Sequence, residues 1–170
     1  MRIKIEENEM RKVDAFASQL VYKKMSENNT FRFDSGKLKQ RFLTGITGEL
    51  ALEKVLEISV VDWSIGNTEG YNHPDISVYG VGIKSVTADN KYPLIYRKNV
   101  YGQIICLVEN NEVEVLGYAS PETLNKYQDD KMVKSPNARK FKTAFVGFDH
   151  LVPINSLADL EAALNGGQPQ

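Results

Sequence analysis

Two long stretches carry apolar residues at helical spacing, and most of the remainder is organised in short apolar or alternating runs. From about residue 7 to residue 26, Met10, Val13, Phe16, Ala17, Leu20, Val21 and Met25 recur every three or four positions, the period of an amphipathic helix. A second helix is predicted from about residue 37 to residue 57, with Asp34 or Ser35 as its cap. With Glu49 as the zero direction, Leu38, Phe42, Ile46, Leu52 and Leu56 fall within roughly 60° of it, while Gln40, Thr44, Thr47 and Lys54 point the other way. Glu53 is displaced from Glu49 by only about 40°. Both carboxylates are therefore expected on an apolar face, where an unpaired charge is costly and a divalent cation or a lysine would offset it. The competing expectation is an arginine salt bridge or a place at the helix rim. Gly45 and Gly48, at about 1 kcal/mol each relative to alanine, are expected to let a strand or a substrate backbone approach.

The strand signals are shorter. Residues 1–6 alternate, as an edge strand or a lead-in would. Residues 60–65 read as the first core strand, followed by a polar loop over 66–72. Residues 72–86 read as two short strands joined by a glycine-flanked turn, with Asp75 opening the first and Lys84 in the second. Further strands are expected over 92–96, 101–108, 112–118 and 143–148, the middle two joined through Glu109-Asn110-Asn111, a hairpin signal. Ser120-Pro121 starts a short helix, Ser156 caps a closing one over 157–164, and 166–170 is read as a frayed tail. No repeat or long linker divides the chain. The expectation is one α/β domain over residues 1–170, its core spanning about 37–150, with a central mixed β-sheet flanked by helices.

Charge narrows the picture little. The 170 residues hold 22 acids against 21 lysines and arginines, so no global basic charge announces a nucleic-acid binder. Carboxylates of a metal site can, however, offset a local basic surface. The single Cys106 excludes an internal disulfide, agrees with a reducing compartment, and sits in an apolar run as a core residue would. No stretch approaches the roughly 20 apolar residues that span a bilayer, and the start has no apolar signal core. A cytoplasmic protein without membrane contact is expected. Walker loops, dinucleotide fingerprints, zinc-spaced Cys/His clusters and nucleophile elbows are absent from the sequence.

What remains is a constellation: Gly48-Glu49-Leu50-Ala51 on a helix, Pro74-Asp75 opening a strand, and Ile83-Lys84-Ser85 on the next. In this order and context the chain resembles the PD-(D/E)xK nuclease superfamily, of restriction-endonuclease-like fold, over roughly residues 37 to 108. The resemblance implies a metal-dependent nuclease hydrolysing DNA phosphodiester bonds, with Mg²⁺ or Mn²⁺ as cofactor. Asp75 would be the central metal ligand, Glu49 would help to hold the ion, and the Ile83 carbonyl would add an oxygen. Lys84 would orient or help deprotonate the attacking water and steady developing negative charge.

The sequence departs from the family at one position, where Gly82 stands two residues before the lysine in place of an acid. Three readings are open. The acid has migrated, with Glu53 the best candidate as a fourth site residue and metal ligand. Alternatively, Glu49, Asp75 and a backbone carbonyl suffice. Or the site has decayed, leaving a nuclease-like module that binds nucleic acid or protein without cutting. A structural ion pair between Lys84 and Glu49 or Glu53 is a further alternative. His73, Lys91, Arg97, Lys98, Lys131, Lys134, Arg139 and Lys140 are candidates for nucleic-acid contact, beside Lys142 and the interleaved Tyr92, Tyr96 and Tyr101. Partners expected are DNA and a second copy or another protein. Endo- versus exonuclease action, base specificity and pathway are not legible in the sequence.

Overall fold

A computed structural model of the chain describes residues 1–28, 34–64 and 74–166. Helix α1 (Glu7–Asn28) buries Val13, Phe16 and Ala17, the stripe that its spacing predicts. Helix α2 (Ser35–Leu56) starts where Asp34 accepts hydrogen bonds from the N–H groups of Gly36 and Lys37, and stops where Glu57 turns left-handed at φ 55°. Two ion pairs, Lys39–Asp14 at 2.9 Å and Lys54–Glu9 at 2.8 Å, tie α2 to α1.

The helices lie on a four-stranded mixed sheet. Its order is β1 (Arg2–Lys4), β5 (Glu112–Ala119), β4 (Gly102–Glu109) and β2 (Val81–Val86). The first two pairings are antiparallel and β2 runs parallel to β4. Asn110, at φ 57°, makes the turn between β4 and β5 that the Asn-Asn pair predicts. The other face of the sheet is covered by a small second sheet of β3 (Leu94–Tyr96), β7 (Lys142–Phe145) and β6 (Gln128–Asp129), with α3 (Pro121–Lys126) beside it. The expected mixed sheet with flanking helices is thus found, with the small second sheet as an addition. The main core joins Val13, Leu52, Ile104, Cys106 and Val113, and a smaller one joins Ile95, Ile105, Leu124 and Phe145. A short α4 (Pro136–Arg139) and the closing α5 (Leu157–Leu164) complete the chain. Burial pushes the Cys106 thiol up to about 12, so it is an inert core residue.

Three local expectations are corrected. The predicted strand over 60–65 is not a strand within residues 60–64. Its backbone N–H groups at Val60 and Val61 are taken by Glu53 Oε1, at 2.8 and 2.9 Å, instead of by a neighbouring strand. Trp63 then folds back onto Phe16, with Lys12 Nζ 3.8 Å from its ring centre. The first arm of the predicted hairpin reduces to one bridge, Ile76 to Val81, around a 3₁₀ turn at Ser77–Tyr79 and Gly80 at φ 63°. Finally, Thr44 and Thr47 do not face away from the core. They are buried, because α2 is wedged between α1 and the sheet over more than half its circumference. The more open side is the strip Arg41, Gly45, Glu49 and Glu53, four residues apart and none of them fully buried.

The two glycines of α2 separate cleanly. A Cβ on Gly48 would fall 1.9 Å from Ser85 Oγ and 3.0 Å from its Cβ, whereas one on Gly45 meets nothing within 4 Å. Gly48 is therefore what lets β2 lie close to the helix. Gly48→Ala is expected to destabilise by about 1–3 kcal/mol, and Gly45→Ala to be neutral or to stabilise by up to about 1 kcal/mol. Urea denaturation of both variants checks the pair, and equal effects would contradict it.

Candidate functional site

The edge of β2 organises the site. Ile83 pairs with Ile104 in register but donates its N–H outward, to Asp75 Oδ2 at 2.5 Å. In an extended strand the N–H and C=O of one residue point to the same side, so the Ile83 carbonyl faces the same open edge as the Asp75 carboxylate. Strand alternation then sorts the side chains. Val81 and Ile83 pack into the core under α2, and Ser85 meets Gly48. Gly82 and Lys84 project to the opposite face, toward the second sheet. The charge of Asp75 acts both on Glu49 of α2 and on Lys84 of β2.

These charges shift one another. The Glu49 carboxyl is pushed up to about 8, first by burial and then by the negative charges of Asp75, Glu53 and Asp62. The residue Asp75 is exposed in area, yet its carboxyl is hemmed in enough that burial is the largest influence and raises its pKa. The Ile83 N–H and the Lys84 charge pull the other way. Lys84 is lowered, by burial first and then by Lys142, with Asp75 opposing and Arg41 adding to the effect. Lys142 is lowered in turn by burial and by Arg41. An acidic group (Glu49, Asp75) thus borders a basic one (Lys84, Lys142, Arg41).

Among the described residues, no ion pair within 4.0 Å involves Lys84, so the structural pair with Glu49 or Glu53 is not formed. Nor, among those residues, do three His, Cys, Asp or Glu side chains group closely enough to hold a metal unaided. Glu53, the expected migrated acid, has one oxygen committed to the Val60 and Val61 N–H groups. It remains close enough to Glu49 to raise it.

The basic candidates divide. Arg97 pairs with Asp130 at 2.9 Å and donates to the Arg139 carbonyl, and Arg139 donates to the Val133 carbonyl, so both arginines brace the 130–139 segment. Lys91, Lys98, Lys131, Lys134 and Lys140 are exposed. His73 lies outside the described residues. Sequence reasoning passed over Arg41, which a strip at four-residue spacing from Glu49 would have found, and Gln103, which only register reveals. A surface cleft of about 710 Å³, lined by Glu122, Lys126, Tyr127, Asp149 and His150 among others, contains none of the predicted site residues.

Compared with family models, curated proteins and solved structures, the chain matches none. Its geometry therefore carries the functional reading. No helix among the described residues is long and apolar enough to cross a membrane.

Proposed function

We propose that this chain is a metal-dependent nuclease that hydrolyses DNA phosphodiester bonds on a restriction-endonuclease-like core. The observation that carries the reading is Asp75 fixed to the Ile83 N–H at the open edge of β2, with its charge acting on Glu49 and on Lys84. The order of elements agrees: α2 with Glu49, a bridge beside Asp75, β2 with Lys84, then further sheet.

The donor set suits a hard divalent ion, because Asp75 and the Ile83 carbonyl face one edge and a cation would relieve the repulsion that raises Glu49. Bound between Asp75, Glu49 and the Ile83 carbonyl, Mg²⁺ or Mn²⁺ would supply Lewis acidity toward the scissile phosphate. Asp75 orients the site through its bond to β2. Lys84, whose hold on its proton is weakened by burial and by Lys142, is suited to exchange a proton with the attacking water and to steady charge on phosphate. Lys142 and Arg41 extend that positive field, and the exposed lysines from Lys91 to Lys140 offer contacts to a DNA backbone.

Gly82 favours a second reading, a nuclease-like module that binds nucleic acid or protein without cutting. One experiment separates the two. Linear, nicked, branched and single-stranded DNA are incubated with Mg²⁺ or Mn²⁺ and the wild-type, Asp75→Ala and Lys84→Ala proteins. The nuclease reading expects cleavage that EDTA stops and both substitutions remove. DNA binding without cleavage of any substrate would leave the module.

A further inference from the structure

We infer that the carboxamide of Gln103 supplies the oxygen ligand that Gly82 lacks, adding to Asp75, Glu49 and the Ile83 carbonyl in holding a divalent cation. The inference rests on the nuclease reading and deepens it.

Space is the first argument. A Cβ placed on Gly82 would lie 2.6 Å from Gln103 Oε1, 2.7 Å from Nε2 and 2.9 Å from Cδ. The Gln103 carboxamide therefore fills the volume that a side chain at position 82 would occupy, and such a side chain would require the carboxamide to move. Register is the second. Gly82 and Gln103 are partners in the parallel pairing of β2 with β4, so they project to the same face, which is also the face of Lys84. A group reaching over Gly82 from Gln103 thus stands where the side chain two residues before the lysine would stand.

The third argument is an orphan. Gln103 Oε1 is buried and has no hydrogen-bond partner among the described residues. Native structures leave few buried acceptors without a partner, and an unplaced ion is one standard explanation. An amide oxygen is a hard, neutral donor of the kind that Mg²⁺, Mn²⁺ and Ca²⁺ accept. It brings no charge, so the site is electrostatically weaker than one with a carboxylate at position 82. Glu53 is less suited to fill the gap, because one of its oxygens holds the backbone at Val60 and Val61.

Mn²⁺ is the probe. Its binding is measured by calorimetry and by loss of the free-ion paramagnetic signal, with the folding of each variant followed by circular dichroism. Asp75→Asn tests the nuclease reading, and Gln103→Leu, Gln103→Glu and the double variant Gly82→Asp/Gln103→Ala test the inference. Expected results are a loss of affinity of about tenfold or more in Gln103→Leu and tighter binding in Gln103→Glu. The double variant should bind better than Gln103→Ala alone. Should Gln103→Leu unfold, the Gln103→Glu comparison decides, because glutamate has nearly the same shape. If Mn²⁺ binding is lost in Asp75→Asn but unchanged in the folded Gln103 variants, the assignment of Gln103 is wrong and the nuclease reading stands. If the wild type does not bind Mn²⁺, or binds it independently of Asp75, both fall.

Discussion

Asp75→Asn is expected to reduce metal-dependent DNA cleavage by about 10³-fold or more while leaving the chain folded. The substitution is chosen for what it keeps. Asp75 Oδ2 accepts the Ile83 N–H at 2.5 Å, and an asparagine carbonyl oxygen can accept the same bond. The edge of β2 therefore retains its anchor, and only the charge is removed. A loss of activity with an unchanged melting temperature then speaks for chemistry. Asp75→Ala removes anchor and charge together and mixes the two effects. The measurement is single-turnover cleavage alongside thermal unfolding. Activity within about tenfold of wild type would show that the carboxylate is not the centre of the site.

Glu49→Gln is the second large effect, and it appears in stability without metal. The Glu49 carboxyl is raised to about 8 from an ordinary 4.5, chiefly by burial. Below the lower value both folded and unfolded chains hold the proton. Between the two values only the folded chain holds it, so stability falls as pH rises. The whole loss is in place above the folded value, and is roughly 2–4 kcal/mol. Glutamine has no proton to lose. The variant should match wild type near pH 4 and exceed it by that margin near pH 9, as read from urea denaturation across the range. Parallel curves for the two proteins would mean that Glu49 is not held in a proton-retaining environment. Mn²⁺ at the higher pH should narrow the gap, since a bound cation stabilises the ionised carboxylate that repulsion from Asp75 disfavours.

These two carboxylates also measure what the sequence disclosed. The helical period of α1 and α2, the Asn-Asn turn and the serine caps at Ser120 and Ser156 were legible, because each is a local signal with a local cause. The order in which α2, a bridge and β2 carry Glu49, Asp75 and Lys84 was legible too, because it follows from the elements themselves. The fate of residues 60–64 was not, because it turns on Glu53 reaching seven and eight residues ahead to occupy two N–H groups. The orientation of α2 was misjudged at Thr44 and Thr47, since a single-helix projection knows nothing of a second helix on its flank. Gln103 was invisible for a related reason. Its significance comes from lying opposite Gly82 across a parallel pair, 21 positions away in sequence, and only tertiary register can disclose that.

The pairing of β1 with β5 sets Arg2 opposite Glu114 and Lys4 opposite Glu112. On the ribosome β1 must therefore wait for more than a hundred further residues before its partner exists, and Ile5, wholly buried in the finished protein, waits with it. Helices α1 and α2 and the β2–β4 pair have all been synthesised before β5 arrives. The edge of β2 beside Asp75 and Lys84 is thus available for pairing with β4 before β1 can join the sheet.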